Sequence, residues 1–527
     1  MNCSRLRRTW LLLAACLLPT LAPARTVRLS RAEYEDRVRA AWTAQILGTL
    51  LGFRFEHKPA SVQCVDRLPE EYDHAPVDDD YYYEIVALRA FERYGIGPTV
   101  EQLGEQWREN NAGSWGSSEQ TRLLLARGIR PPDTGHPRNN RLWFTIGPQF
   151  SADLYGLLAP AMPNLAGRLA RTLGHINGYA EGTDGAVFVA GMVSLAFGET
   201  DPKAVVRKAA RLIHPASPYR QCLDQVISLA EGGKNVAEVA RAVEDRWHIE
   251  YPATNNAVAN GGLVASSVWF GEGDFLKTVN AAFAAADYTD ADCNAANAAA
   301  VVGAMRGMKA LPAALVAQLN DRIAGSEMGG VQLTPPVEDT ITGIARRTAA
   351  AGERLLGAHG GRIEGGVLEI PEKEIKTQPA ELFRLSDLMQ YCKPAWELER
   401  AGFGGAGGGL RGVRGITFLD GDVLATWPRD EVRGVVLRRR VTPGAGQALR
   451  FEVAADPGRA WQLEVYADNE RLLSRVVEGG AAAREWQLIS VDLGKRAGQA
   501  TELRLYQLVL LPDRIPGNAY WRALRVE

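Results

Sequence analysis

A run of glycine from Gly402 to Gly409, interrupted only by Phe403 and Ala406, separates two stretches of opposite periodicity. Glycine has no side chain to bury and loses the most backbone freedom on ordering, so the run reads as a linker. Each side of it must then build its own core. Upstream, apolar residues recur at spacings of three and four over 81–94, 184–197, 202–213, 236–247 and 295–309, the pattern of amphipathic helices. Several segments are dense in Ala and Gly, as in 185–191, and small residues let helices approach closely. Downstream, β-branched and aromatic runs over 448–453, 461–466, 486–493, 503–511 and 520–526 alternate with turn residues. The chain is therefore expected to be multi-domain. An all-α domain over 25–398 and a linker over 399–415 precede a small all-β, jelly-roll-like sandwich over 416–527.

The first 24 residues carry Arg5, Arg7 and Arg8, an apolar stretch over 10–18, and Ala22-Pro23-Ala24. That order predicts a secretory signal peptide cut after Ala24, and an exported protein that is periplasmic or secreted. Leu13-Ala14-Ala15-Cys16 offers a rival, lipid attachment at Cys16, although Leu17-Leu18 prolongs the apolar run where a lipoprotein turns polar. No other segment approaches the roughly 20 apolar residues of a membrane helix. Three of the 60 basic residues fall in this leader and none of the 62 acidic ones, so the remainder is net acidic and does not suit nucleic acid. Cys64, Cys222, Cys293 and Cys392 are too few and scattered for a disulfide framework, and their pairing and the oligomeric state stay open.

Two acidic clusters, Asp78-Asp79-Asp80 and Asp290-Ala291-Asp292, lie some two hundred residues apart, each just before a helical stretch. One Asp suffices to cap a helix, a contribution of about 1 kcal/mol. Three exceed that need. Two unit charges about 5 Å apart repel by roughly 3 kcal/mol at an effective dielectric near 20, so converging carboxylates require a cation or protons. An all-oxygen shell suits a hard ion such as Mg²⁺ or Ca²⁺.

The surroundings of these clusters resemble the ADP-ribosylglycohydrolase family, all-α hydrolases that hold two Mg²⁺ ions with a Thr-Asp-Asp-Thr and a late Gly-Gly-Asp-x-Asp-Thr motif. Val77-Asp78-Asp79-Asp80 and 288–294 match those motifs. So do Ala41-Trp42 through Gly48, Gly52 and Glu56, then 128–132, 149–156, 173–178, Asn255-Asn256 and 271–275, in the family's order over about 35–350. The resemblance implies hydrolysis of a ribosyl-like bond, ADP-ribosyl or another furanosyl, by metal-assisted attack of water on a small-molecule or glycan substrate. It makes Asp78, Asp79, Asp290 and Asp292 metal ligands, and Glu56, Asp79 and Asp80 the proton-relaying catalytic residues. His175, Asn177, Glu181, Asp184 and Tyr288 become substrate contacts. Two Mg²⁺ ions are implied, with one ion or Ca²⁺ as alternatives.

This sequence also departs from the family. Val77 and Asp80 stand where the first motif has Thr, Cys293 where the second has Thr, and Tyr288-Thr289 replace the paired Gly. Cys is a poor partner for Mg²⁺. These changes favour the alternative, a non-catalytic sugar- or ADP-ribose-binding protein with a degenerate metal site. Among other residues, Tyr81, Tyr82 and Tyr83 are consecutive on a helix, so at least one is expected to be only partly buried. Trp427, Trp461, Trp486, Trp521 and Tyr520 should be mostly sandwich core, and an exposed pair among them would make a carbohydrate-binding platform.

Overall fold

The computed structural model describes residues 26–248, 251, 255–285, 289–383, 385–392, 395–400, 417–418, 423–426, 435–510 and 517–527. The leader with Cys16, the glycine run, Tyr288 and Trp427 lie outside the described residues.

The helical domain is organised around two helices that touch backbone to backbone. Arg31–Gly52 starts at Ser30, whose hydroxyl accepts from Glu33 N at 3.1 Å. It packs along Ala291–Arg306, whose sequence is rich in Ala and carries Gly303. A Cβ on Gly48 would lie 2.8 Å from the Ala295 carbonyl oxygen, and one on Gly303 would lie 2.5 Å from that of Ala40. One on Gly52 would sit 2.4 Å from Asp292 Cα. Only glycine fits there. The Ala- and Gly-dense helix Glu181–Ala196 behaves alike, since a Cβ on Gly191 would meet Leu212 Cδ1 at 2.4 Å.

Helix Asp79–Tyr94 is buried along most of its length, and here the expectation for Tyr81, Tyr82 and Tyr83 fails. All three are at most 1% exposed. Burial on every face is tolerated because each hydroxyl has a partner. Tyr81 and Tyr82 donate to the carbonyls of Pro76 and Asn110, and Tyr83 accepts from Ser114 N.

Periodicity did not signal the two three-stranded sheets of this domain. One joins Thr26–Ser30, Val367–Pro371 and Arg362–Glu364. The other is a hairpin, Arg322–Met328 with Val331–Thr340, turning at Gly329-Gly330 with φ of +55° and +75°. Its first strand pairs in parallel with Ala75–Pro76 and so fixes the approach to Asp78.

The described residues of the C-terminal region form two five-stranded sheets around a main apolar core, with a smaller cluster of Val423, Ala425, Ala454 and Tyr520 apart from it. Alternate residues point inward along Ala460–Ala467 and Thr501–Leu508. Trp461 and Trp521 meet at 5.0 Å between ring centroids, surrounded by Phe451, Leu463, Val465 and Leu505. Strands Val435–Val441 and Glu470–Glu478 are additional to those expected, because the first carries three consecutive Arg and the second is a largely exposed edge. Glu397–Arg400 pairs with Val435–Arg438, so chain from before the glycine run enters this sheet. Tyr520 is buried with its hydroxyl on Asp456, and the guanidinium of Arg522 lies 3.9 Å from the centroid of half-buried Trp486. No helix among the described residues is long and apolar enough to cross a membrane.

Gly303→Ala should force apart the two central helices and destabilise the protein by about 1–3 kcal/mol, measured by urea unfolding followed by far-ultraviolet circular dichroism.

Candidate active site and metal centre

Three chain segments converge on a cavity of about 440 Å³ lined by Glu56, Asp78, Asp79, Asp290, Asp292 and Cys293, among others. Glu56 follows the single turn Phe53–Phe55. That turn is fixed by Phe55 stacking on Phe283 at 5.0 Å and by His57 N donating to Thr289 O at 2.9 Å. Asp78 caps helix Asp79–Tyr94, its Oδ1 accepting from Asp80 N at 3.1 Å. Asp290 precedes helix Ala291–Arg306, and its N–H donates to Asn260 Oδ1, which also accepts from Asn294 Nδ2 at 2.9 Å. The two acidic motifs thus meet at the N-terminal ends of their helices, where helix dipoles favour negative charge.

Asp80 lies behind the lining, fully buried, with Thr49 Oγ1 donating to its Oδ2 at 2.8 Å. Cys293 supplies a thiol where the Asp80 and Asp292 carboxylates converge, the three donor atoms lying within 4.8 Å of one another. Carboxylate oxygens of Asp78, Asp79 and Asp80 form a second such group, and Glu56, His57 and Asp290 a third. Val77 offers no donor. Its side chain lies so close to Gly325 that a Cβ there would come 2.8 Å from Val77 Cγ2.

The electrostatics of the cavity are one-sided, because the described lining residues include five carboxylates, one histidine, His57, and no Lys or Arg. Burial first, then the charges of Glu56 and Asp290, push the Asp78 carboxyl up to about 7. Burial and neighbouring carboxylates hold Asp79, Asp80 and Asp292 well above the usual range. Burial and the charge of Asp290 raise Glu56 as well. Oδ1 of each of Asp80, Asp290 and Asp292 is buried without a hydrogen-bond partner. An orphaned buried carboxylate oxygen costs several kcal/mol, so the cluster fits a divalent cation bound by oxygen.

Beneath Asp80 lies a further polar layer. Gln45 Nε2 donates to the Asp80 carbonyl at 2.9 Å and to Glu84 Oε1 at 3.1 Å. Asn297 Nδ2 donates to Asp153 Oδ2 at 2.6 Å, and Glu84 Oε1 accepts from Asp153 N. Burial raises both Glu84 and Asp153 well above the ordinary carboxylate range.

Sequence reasoning did not single out Trp115, Ser117, Ser118, Thr145 and Phe150, which complete the walls. Trp115 is 46% exposed, an aromatic in a Gly- and Ser-rich loop with no apolar helix face to bury it. That placement was the available signal. Ile146 N donates to Asn255 O at 2.9 Å and joins the remaining wall to Asn255.

The other residues expected at the site are placed variously. Asn177 backs the wall, donating through Nδ2 to Ser118 Oγ at 3.0 Å. Glu181 accepts from the Tyr251 hydroxyl at 3.0 Å, and Asp184 is buried against Arg171 and Ser217. Neither lines the cavity. His175 does not line it either, and its Nε2 is 2.7 Å from Glu381 Oε1. Glu381 Oε2 accepts from Ala180 N, Thr183 Oγ1 and Arg171 Nη1 at 3.0 to 3.3 Å. Burial alone would raise Glu381, but the His175 hydrogen bond and charge, with Arg171 and the Ala180 N–H, hold it at about 2.

A carboxyl depressed from its ordinary 4.5 contributes stability that is present above pH 4.5 and lost as pH falls toward 2. Glu381→Gln should therefore cost on the order of 2–3 kcal/mol at neutral pH. In urea titrations across pH the gap to the unaltered protein should narrow below about 4.5.

The ADP-ribosylglycohydrolase family pattern matches residues 30–354. A solved structure described as an ADP-ribosylglycohydrolase-related protein complex matches with 17% identity and a TM-score of 0.41, over 62% of this chain and 99% of that one. No curated protein matches. The family match takes in more than half of the chain, including both acidic motifs and Glu56, and on that ground the chain belongs to the ADP-ribosylglycohydrolase family.

Proposed function

We propose that this protein is an exported, metal-dependent glycosyl hydrolase that cleaves a ribosyl-like bond, ADP-ribosyl or another furanosyl. The observation that carries the reading is the set of buried, orphaned oxygens on Asp290 and Asp292 in the cavity wall and on Asp80 just behind it, where no Lys or Arg is among the described lining residues. Asp78, Asp79, Asp290 and Asp292 would hold the ions, Mg²⁺ by family resemblance. A bound divalent cation would supply Lewis acidity toward sugar hydroxyls and a more acidic water.

The remaining work falls to side chains. Glu56 stands at the mouth with its carboxyl half-exposed and raised, which suits a group that takes a proton from water or gives one to the leaving group. Water adds OH to the anomeric carbon, the glycosidic bond breaks, and the leaving group departs with the proton. Trp115 at the rim offers a face for a sugar or base ring, and Ser117 and Ser118 offer hydroxyls for orienting substrate. The signal peptide expected over 1–24 would carry this activity out of the cytoplasm.

Val77 supports the second reading, a binding protein without turnover, because it turns an apolar side chain to Gly325 where the family has a hydroxyl. Turnover of ADP-ribosylated peptides and simple furanosides with Mg²⁺ or Mn²⁺ separates the two. Asp290→Asn should lower the rate by at least about a hundredfold and leave the fold intact by circular dichroism. Metal binding without turnover of any such substrate would favour the binding protein. Removal of divalent ions with a chelator should abolish activity, and their return should restore it.

A further inference from the structure

The Asp80–Asp292–Cys293 group differs in kind from the two neighbouring groups, which offer oxygens and the His57 ring nitrogen but no sulfur. Cys293 is in the first turn of Ala291–Arg306 and is 6% exposed, with Asp292 5% and Asp80 0% exposed. Helix packing sets the geometry. Gly52 meets Asp292 at the backbone, and Thr49, one turn earlier on the same helix, holds Asp80 Oδ2. The other oxygen of Asp80 and Oδ1 of Asp292 are buried and without partners. The remaining side of the group opens on the cavity, which Asp292 and Cys293 both line.

Two carboxylates and a thiol with one open side are the makings of a three-ligand site with a free fourth position. Mg²⁺ takes hard oxygen donors in an octahedron and gains little from sulfur. Thiolate binds Zn²⁺ and Co²⁺ strongly, and their tetrahedral preference matches three protein donors and one water.

We infer that the Asp80–Asp292–Cys293 position selects a thiophilic divalent cation of the Zn²⁺ class over Mg²⁺, with Cys293 Sγ as a direct ligand. The inference rests on the proposed metal-dependent reading of the same cavity and specifies one of its positions. On binding, the Cys293 S–H bond breaks, the proton leaves to solvent and Sγ donates its electron pair to the ion. No oxidant or reductant is needed. The Asp78–Asp79 side, with oxygen donors alone, keeps its preference for a hard ion.

The test is titration of the metal-free, full-length protein with Co²⁺, followed by absorption spectroscopy. A thiolate-to-cobalt charge-transfer band in the near ultraviolet should accompany the tetrahedral d–d bands. The charge-transfer band should vanish in Cys293→Ser and Cys293→Thr. Zn²⁺ at stoichiometric concentration should displace the cobalt, whereas about a thousandfold excess of Mg²⁺ should not. Cobalt bound to the unaltered protein without that band would overturn the inference and leave the oxygen-ligated reading standing. Failure of Co²⁺ to bind, with Mg²⁺ binding retained in calorimetry, would overturn it equally. Failure of both ions to bind would remove the metal-dependent reading together with it. Because the band is sought first in the unaltered protein, a variant that misfolds does not decide the outcome.

Discussion

The contact between helices Arg31–Gly52 and Ala291–Arg306 is the constraint on which the site depends. Gly48, Gly52 and Gly303 remove the side chains that would otherwise separate two helical backbones, and the gap is closed by direct backbone contact. Several residues of the acidic cluster are positioned by that pair. Thr49 and Gln45 project from the first helix to Asp80, and Asp292 and Cys293 open the second. A displacement of a fraction of an ångström between the helices would move the carboxylates of Asp80 and Asp292 and the thiol of Cys293 relative to one another.

Gathering carboxylates in this way opposes folding, and the surrounding structure shows how the opposition is contained. Each acidic cluster begins a helix, so part of its charge faces a helix dipole and backbone N–H groups. Asp78 spends one oxygen on a cap and Asp80 one on Thr49, which fixes their rotamers while leaving other oxygens free. The second polar layer of Gln45, Glu84, Asp153 and Asn297 holds the floor from beneath through amide donors. The network is costly to bury, and its cost is consistent with selection for a bound cation rather than for stability.

Much of this was legible in the chain. Residues at helical spacing upstream and alternating residues downstream of the glycine run announced two kinds of core, because periods of 3.6 and 2 leave distinct apolar patterns. Clustered Asp at helix starts exceeded what capping explains. The strands at Arg322–Thr340 leave little trace in the sequence because about half of their residues are exposed and few alternate strictly. The burial of all three tyrosines of Asp79–Tyr94 has another cause. The apolar spacing over 81–94 marks one inward face, and the opposite face is also covered between residues 80 and 88 because the hydroxyl partners Pro76, Asn110 and Ser114 come from other segments.

By itself, the sequence determined the division into helical and β regions, the positions of the acidic motifs and the presence of a thiol among them. Local chemistry and periodicity suffice for those, since they concern neighbours along the chain. Only the tertiary structure decided that Glu56, Asp78 and Asp290 share one cavity and that Trp115 stands at its mouth. It also decided that His175 is placed against Glu381, away from the cavity lining. These are contacts between residues tens to hundreds of positions apart, and they depend on how closely two glycine-faced helices can approach.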